Sequence, residues 1–164
     1  MSEPALRERP TVRVVLLDPD GRVLLMKGRF PGGPREGAWF TVGGGAEPGE
    51  AIHETALREV REETGFADVD LGPAVWLRGG PLTLPSGERV MMRETYVVAR
   101  CAGGEPSREG WDEIERSQML DLRWWTLDQL VACRERIYPG RLAELLADLL
   151  AGRLPGEPLD LGWD

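Results

Sequence analysis

Histidine and lysine are nearly missing from this chain of 164 residues: His53 and Lys27 stand alone. Cysteine occurs only as Cys101 and Cys133. A Cys/His zinc centre needs more ligands than these three residues provide, and any histidine-based triad would have to run through His53, which reads as a surface residue. Two scattered cysteines make no disulfide framework; as small hydrophobes they fit a reduced, cytoplasmic chain. Gly28 follows Lys27, so the Gly-rich loop ending in Lys-Ser or Lys-Thr that cradles phosphates is excluded. Basic residues are outnumbered, 20 against 28 acidic, for a formal charge of -8. That balance argues against stable, sequence-indifferent nucleic-acid binding but leaves room for a small phosphorylated ligand held through a cation. No apolar run approaches the length of a membrane span, and the polar stretch Met1 to Pro10 holds no signal-peptide core.

What remains is an ordinary globular composition, 41% hydrophobic and 29% charged, expected to form one domain over 1–164 with its core at about 12–150. Thr11 to Asp18 and Arg22 to Lys27 read as two strands joined by the Pro19-Asp20-Gly21 turn. Gly28 to Gly37 is a loop carrying Arg29 and Arg35. Trp39 to Val42 forms a short strand running into Gly43, Gly44 and Gly45. A helix is expected over Ala51 to Thr64, with Ile52, Ala56, Leu57, Val60 and Thr64 on its apolar face and Gly65 ending it. Further strands fall at Ala74 to Arg78, Pro81 to Leu84, Arg89 to Arg100 and Leu122 to Trp125. Thr126 and Gln129 form a capping box. Leu142 to Leu150 makes an amphipathic helix, expected on the sheet face opposite the first helix, and the tail from Gly152 is expected to be loose.

The chemistry concentrates on the first helix. Glu59, Glu62 and Glu63 stand at i, i+3 and i+4 and share one patch of helix surface. Like charges at that spacing repel, and a hard, oxygen-seeking cation such as Mg²⁺ or Mn²⁺ would relieve the repulsion. Arg58 lies four residues from both Glu54 and Glu62 and can pair with either. Gly44, Glu50, Arg58, Glu59, Val60, Glu62, Glu63, Gly65 and Phe66 together complete the 23-residue Nudix box, in the strand, glycine loop and helix context it requires. The chain resembles the Nudix hydrolases of MutT-like type. One departure precedes the box, where Val42 stands in the place that many members fill with proline.

The resemblance implies an α/β fold, an α/β/α sandwich around a mixed β-sheet. It implies divalent-cation-dependent hydrolysis of the pyrophosphate linkage in a nucleoside diphosphate joined to another group, by attack of a metal-bound water. Glu59, Glu62 and Glu63, with the backbone carbonyl of Gly44, would hold Mg²⁺ or Mn²⁺, and Arg58 would orient the carboxylates. The general base would be a box glutamate or one of Glu109, Asp112, Glu113 and Glu115. Lys27, Arg29 and Trp39 are candidate substrate contacts, the first two for phosphate and the third for stacking on a base. The expected partner is a small nucleotide derivative, bound by a monomer or homodimer that engages no membrane. A nucleotide sensor without turnover is the alternative; the complete glutamate set favours the enzyme.

Overall fold

The computed structural model describes residues 3–163. Strand β1 (Arg7–Leu17) sends Val12, Val14 and Leu16 to one side of the sheet and Val15 and Leu17 to the other. Both sets are buried, so the run reads as continuously apolar without alternation. The turn that follows is held by the Asp18 carboxylate, which accepts from the backbone N–H of Asp20 and Arg22 at 3.0 and 2.8 Å. Strands β2 (Val23–Gly28) and β3 (Ala38–Gly45) and helix α1 (Ile52–Thr64) come next. The long β4 (Val69–Thr83) and β5 (Arg89–Cys101) form an antiparallel pair. The remaining elements are α2 (Glu113–Gln118), β6 (Met119–Trp125), α3 (Leu127–Ala132), β7 (Ile137–Tyr138), α4 (Leu142–Leu150) and β8 (Leu159–Asp160).

The sheet is mixed. Its order is β6-β2-β3-β1-β5-β4-β8, with β7 beside β3. β1 runs parallel to β5, while β3 runs antiparallel to β1 and to β2. Two apolar layers cover it. Ala56 and Val60 of α1 pack with Trp111 on the face of Val14, Leu24 and Val42. Leu142, Leu145, Leu146 and Leu149 of α4 pack on the face of Val15, Leu25, Trp39 and Trp76. The two helices therefore lie on opposite faces, as expected of the sandwich. The Thr126 capping box forms, its hydroxyl accepting from the N–H of Gln129 at 3.1 Å.

Four expectations are corrected. Ile52 and Leu57 of α1 are 44% and 42% exposed, whereas Thr55 and Glu63 are buried; the helix is rotated so that Glu59 and Glu63, rather than Leu57, meet the end of β3. The separate strands at Ala74 to Arg78 and Pro81 to Leu84 are one strand, because Gly79 and Gly80 continue it: a Cβ at Gly79 would lie 2.9 Å from the Met92 carbonyl oxygen, so the missing side chain admits close strand pairing. The tail is not loose. β8 pairs with Trp76 and Leu77, the N–H of Leu161 donates to the Leu77 carbonyl at 2.8 Å, and the Trp163 ring lies 4.1 Å from the Arg78 guanidinium carbon. Helix α2 was not anticipated, although Asp112 and Glu115 carry the capping-box spacing and form that box.

Candidate metal and catalytic centre

The centre is built where the glycines of β3 meet α1. Gly43 has φ +139°, and its N–H donates to Oε1 of Glu63 at 2.9 Å. At Gly44 a Cβ would fall 2.6 Å from Oε1 of Glu59, so only a bare α-carbon lets that carboxylate reach the strand. Glu63 is 3% exposed. Its burial, the neighbouring negative charge of Glu59 and a hydrogen bond between the two side chains push its carboxyl well above the ordinary carboxylate range. Glu63 is thus favoured in its protonated form when no cation stands between the two groups.

Arg58 organises the rim. Its Nε and Nη2 donate to the two oxygens of Glu50 at 2.7 and 2.9 Å, Nη1 donates to Glu59 at 2.9 Å and to Glu62 at 3.3 Å, and Nη2 also reaches the Gly45 carbonyl at 3.0 Å. These bonds hold the Glu50 carboxyl down at about 2 and raise the guanidinium above its usual value. Of the two pairings open to Arg58 in the sequence, Glu62 is realised. Glu54 instead turns back to the Ala51 N–H at 3.4 Å. The partner that sequence spacing missed is Glu50, eight residues away and outside the helix, although it is a fixed member of the box.

A distant loop completes the wall. Trp111 Nε1 donates to the Glu63 carbonyl at 2.7 Å, and the Ser107 N–H donates to the Thr64 carbonyl at 2.7 Å. Both acceptors lie in the last turn of α1, whose carbonyls have no intrahelical donors. This docking brings α2 toward the carboxylates. Glu115 is raised by burial, then by Asp112, Glu59 and Glu62, and it acts electrostatically on Glu63 in turn. Among the four acids considered as a base, Asp112 is used as the cap of α2, and Glu109 and Glu113 are exposed. Of the four only Glu115 is part-buried, and its carboxyl accepts from the Asp112 N–H at 3.3 Å, closing the same box.

The structure brings Glu59 and Glu63 together with Gly44 and leaves Glu62 half-exposed on the Arg58 side. Among the described residues no three His, Cys, Asp or Glu side chains converge on one point. The donor set nonetheless fits a hard cation. The carboxylates of Glu59 and Glu63 repel one another where a cation could stand, all the nearby acceptors are oxygens, and the absent Cβ of Gly44 leaves the Glu59 oxygens lying on bare backbone.

The suggested substrate contacts are not brought to this centre. Trp39 is 2% exposed, its ring stands edge-on to Trp125 at 4.8 Å, and its Nε1 donates to Glu135 at 2.9 Å, so it is a core residue and no stacking platform. Lys27 lies on that same face, opposite α1, and donates to Glu135 at 2.7 Å. Trp39 pairs with it four residues down β3 from Gly43, roughly 13 Å by strand rise. Arg29 is exposed and bonds the Arg35 carbonyl at 2.9 Å. The alternation of strands β2 and β3 sets these positions, and it is not visible from the loop's composition.

A family model described as the NUDIX domain matches residues 7–149. The NAD-capped RNA hydrolase NudC of Stutzerimonas stutzeri (strain A1501) is 31% identical over 154 residues, covering 93% of this chain and 48% of NudC. The nucleoside triphosphatase NudI of Escherichia coli (strain K12 / DH10B) is 45% identical over 60 residues, covering 37% of this chain and 42% of NudI. The chain thus spans about half the length of these curated relatives. Among solved structures, the MutT protein from Methanosarcina mazei Go1 superposes with a TM-score of 0.65 at 16% identity, over 92% of this chain and 98% of that one.

Proposed function

The chain belongs to the Nudix family, and from that premise we propose that it is a divalent-cation-dependent hydrolase of the pyrophosphate linkage in nucleoside diphosphate derivatives, acting as a single domain. The observation that carries the reading is buried Glu63 beside part-buried Glu59, the two held against Gly43 and Gly44 and flanked by Arg58. Glu59 and Glu63, with the Gly44 carbonyl, would hold Mg²⁺ or Mn²⁺, and Glu62 would complete the set directly or through water. When bound, the cation screens phosphate charge and lowers the pKa of water. The residues of the chain supply the rest. Arg58 fixes the carboxylate of Glu59 through a charge-assisted bond, so the oxygens need no reorganisation. Glu115, whose carboxyl is raised by burial, is the proposed acceptor of the water proton. No side chain is assigned as a covalent nucleophile. Relatives described as an NAD-capped RNA hydrolase and a nucleoside triphosphatase support a nucleotide substrate.

The test is a screen over nucleotide sugars, dinucleoside polyphosphates, ADP-ribose, NADH and nucleoside triphosphates, with Mg²⁺ and with Mn²⁺, in which the nucleoside monophosphate product is read by chromatography, since cleavage of the linkage frees phosphomonoesters or pyrophosphate. Turnover is expected on at least one diphosphate derivative, lost by orders of magnitude in Glu59→Gln. Mn²⁺ affinity should fall at least about tenfold in Glu63→Gln, as loss of a charged ligand implies. Near-normal turnover in Glu59→Gln would refute the assignment, and binding without turnover across the panel would leave a nucleotide sensor in its place.

A further inference from the structure

Three charged side chains lie together on one face of the sheet. Glu94 of β5 and Arg78 of β4 are buried, and Arg13 of β1 is part-buried beside them. Arg13 Nε donates to Oε2 of Glu94 at 2.8 Å, and Arg78 Nη1 donates to Oε1 at 2.7 Å. By strand alternation all three share the α4 face with Val15, Trp76 and Tyr96. Such a group is a weak source of stability, because the cost of desolvating the charges offsets their attraction and apolar residues of like volume serve as well. Its presence calls for another use.

The other end of the Arg13 fork supplies one. Its Nη1 donates at 3.2 Å to the carbonyl of Gly43, the cross-strand partner of Arg13 on β3. On the α1 side the N–H of the same glycine donates to Oε1 of Glu63 at 2.9 Å. Gly43 has no side chain to cover its backbone, so its two polar groups are held from opposite faces of the sheet. Glycine has wide backbone freedom, and these two bonds help to fix the φ of +139° that Gly43 adopts. The next residue is Gly44, on which the Glu59 carboxylate rests. The charges of Arg13 and Glu63 also sense each other through the strand.

We infer that Arg13, aimed by Glu94, is a positioning residue for the cation centre: from the far face of the sheet it fixes the Gly43–Gly44 backbone against which Glu59 and Glu63 are set. This rests on the reading of those two carboxylates as the cation site. Arg13 touches neither cation nor substrate. The sign of its effect separates this role from a purely electrostatic one. As a bare positive charge Arg13 repels a cation, and its removal would tighten cation binding; as a positioning residue its loss weakens binding.

The experiment is Mn²⁺ titration, followed by electron paramagnetic resonance, of wild type, Arg13→Lys, Arg13→Met and Arg78→Met, with urea unfolding of each in EDTA. Arg13→Lys keeps the charge but lacks the fork that spans Glu94 and Gly43. It should weaken Mn²⁺ on the order of tenfold, as loss of a group that orients a ligand implies. Arg13→Met should also weaken it, although a cation-repelling charge has gone. Arg78→Met breaks the other half of the same ion pair, with β1 and β5 standing between its strand and β3. It should lower the urea midpoint and leave Mn²⁺ affinity within about twofold of wild type, as expected of distant sites. In ¹⁵N-correlated spectra of the cation-free protein the Gly43 amide, which reports the bond to Glu63, should shift more in Arg13→Lys than in Arg78→Met. That amide and the Arg13→Lys titration decide the matter if Arg13→Met does not fold. Unchanged or tighter Mn²⁺ binding in Arg13→Lys, or equal weakening in the Arg13 and Arg78 variants, would overturn the inference while the cation site stood. Arg13-dependent Mn²⁺ binding by a protein that turns over no nucleotide would sink the hydrolase reading and support this one. A wild type that binds no Mn²⁺ would overturn both.

Discussion

Alanine substituted in turn at Gly43 and Gly44 should produce two different failures from adjacent positions. At Gly43 a Cβ would sit 2.0 Å from the Val12 carbonyl oxygen, and φ is +139°. Neither conflict can be relieved by a side chain, because both involve backbone of paired strands. The left-handed conformation costs about 1–2 kcal/mol and the overlap about 1–3 more, a large part of the roughly 5–15 kcal/mol that stabilises a domain. At Gly44 the obstacle is the end of the Glu59 side chain, 2.6 Å away. Glu59 has to withdraw by about 0.8 Å to reach an ordinary 3.4 Å contact, which stretches its 2.9 Å bond to Arg58. Stability should fall by less than about 1 kcal/mol, in the range of changes that touch no packed core. The rate should drop on the order of 100-fold, as displacement of a reacting group by about an ångström implies. Urea unfolding in EDTA, followed by tryptophan fluorescence, and initial rates on a confirmed substrate measure the two quantities separately. Equal losses of stability in the two variants, or more than a third of wild-type turnover in Gly44→Ala, would refute the reasoning.

Glu63→Gln should make the cation-free protein more stable at pH 7.5. The folded pKa of Glu63 is raised, so its contribution is fully present below the unfolded value of 4.5 and is lost as pH rises through the folded value; the gap between variant and wild type should close toward pH 4 in urea titrations. Arg58→Lys should cut turnover at least about tenfold, because an ammonium cannot span Glu50, Glu59 and the Gly45 carbonyl as the guanidinium fork does. Trp111→Phe should lower stability by about 1–3 kcal/mol, since it leaves the Glu63 carbonyl without its 2.7 Å donor in a buried place. Preserved stability in that variant would mean that the loop does not hold the helix end.

The box was legible because its spacing is local: Arg58, Glu59, Glu62 and Glu63 lie within two turns of one helix, and Gly65 ends that helix at φ +80°. The extents of α1 and α4 followed from their helical spacing, and their opposite faces from the sandwich that the resemblance implies. What the sequence hid depends on tertiary contact. The rotation that buries Glu63 and exposes Leu57 is set by the glycines of β3, which no helical periodicity encodes. The remoteness of Lys27 and the burial of Trp39 come from the register of Lys27 against Trp39.

The packing of Trp163 on β4 has a consequence for how such chains diverge. A Cβ at Gly80 would lie 2.1 Å from the Trp163 ring, so these two positions, 83 apart in the chain, are bound by one steric constraint. A lineage that keeps the indole should be confined to glycine at the strand position, and one that loses it is released to any residue a strand favours. Positions 80 and 163 should therefore change together as a linked pair, and a glycine at 80 in a related sequence would signal that its tail folds back over the sheet.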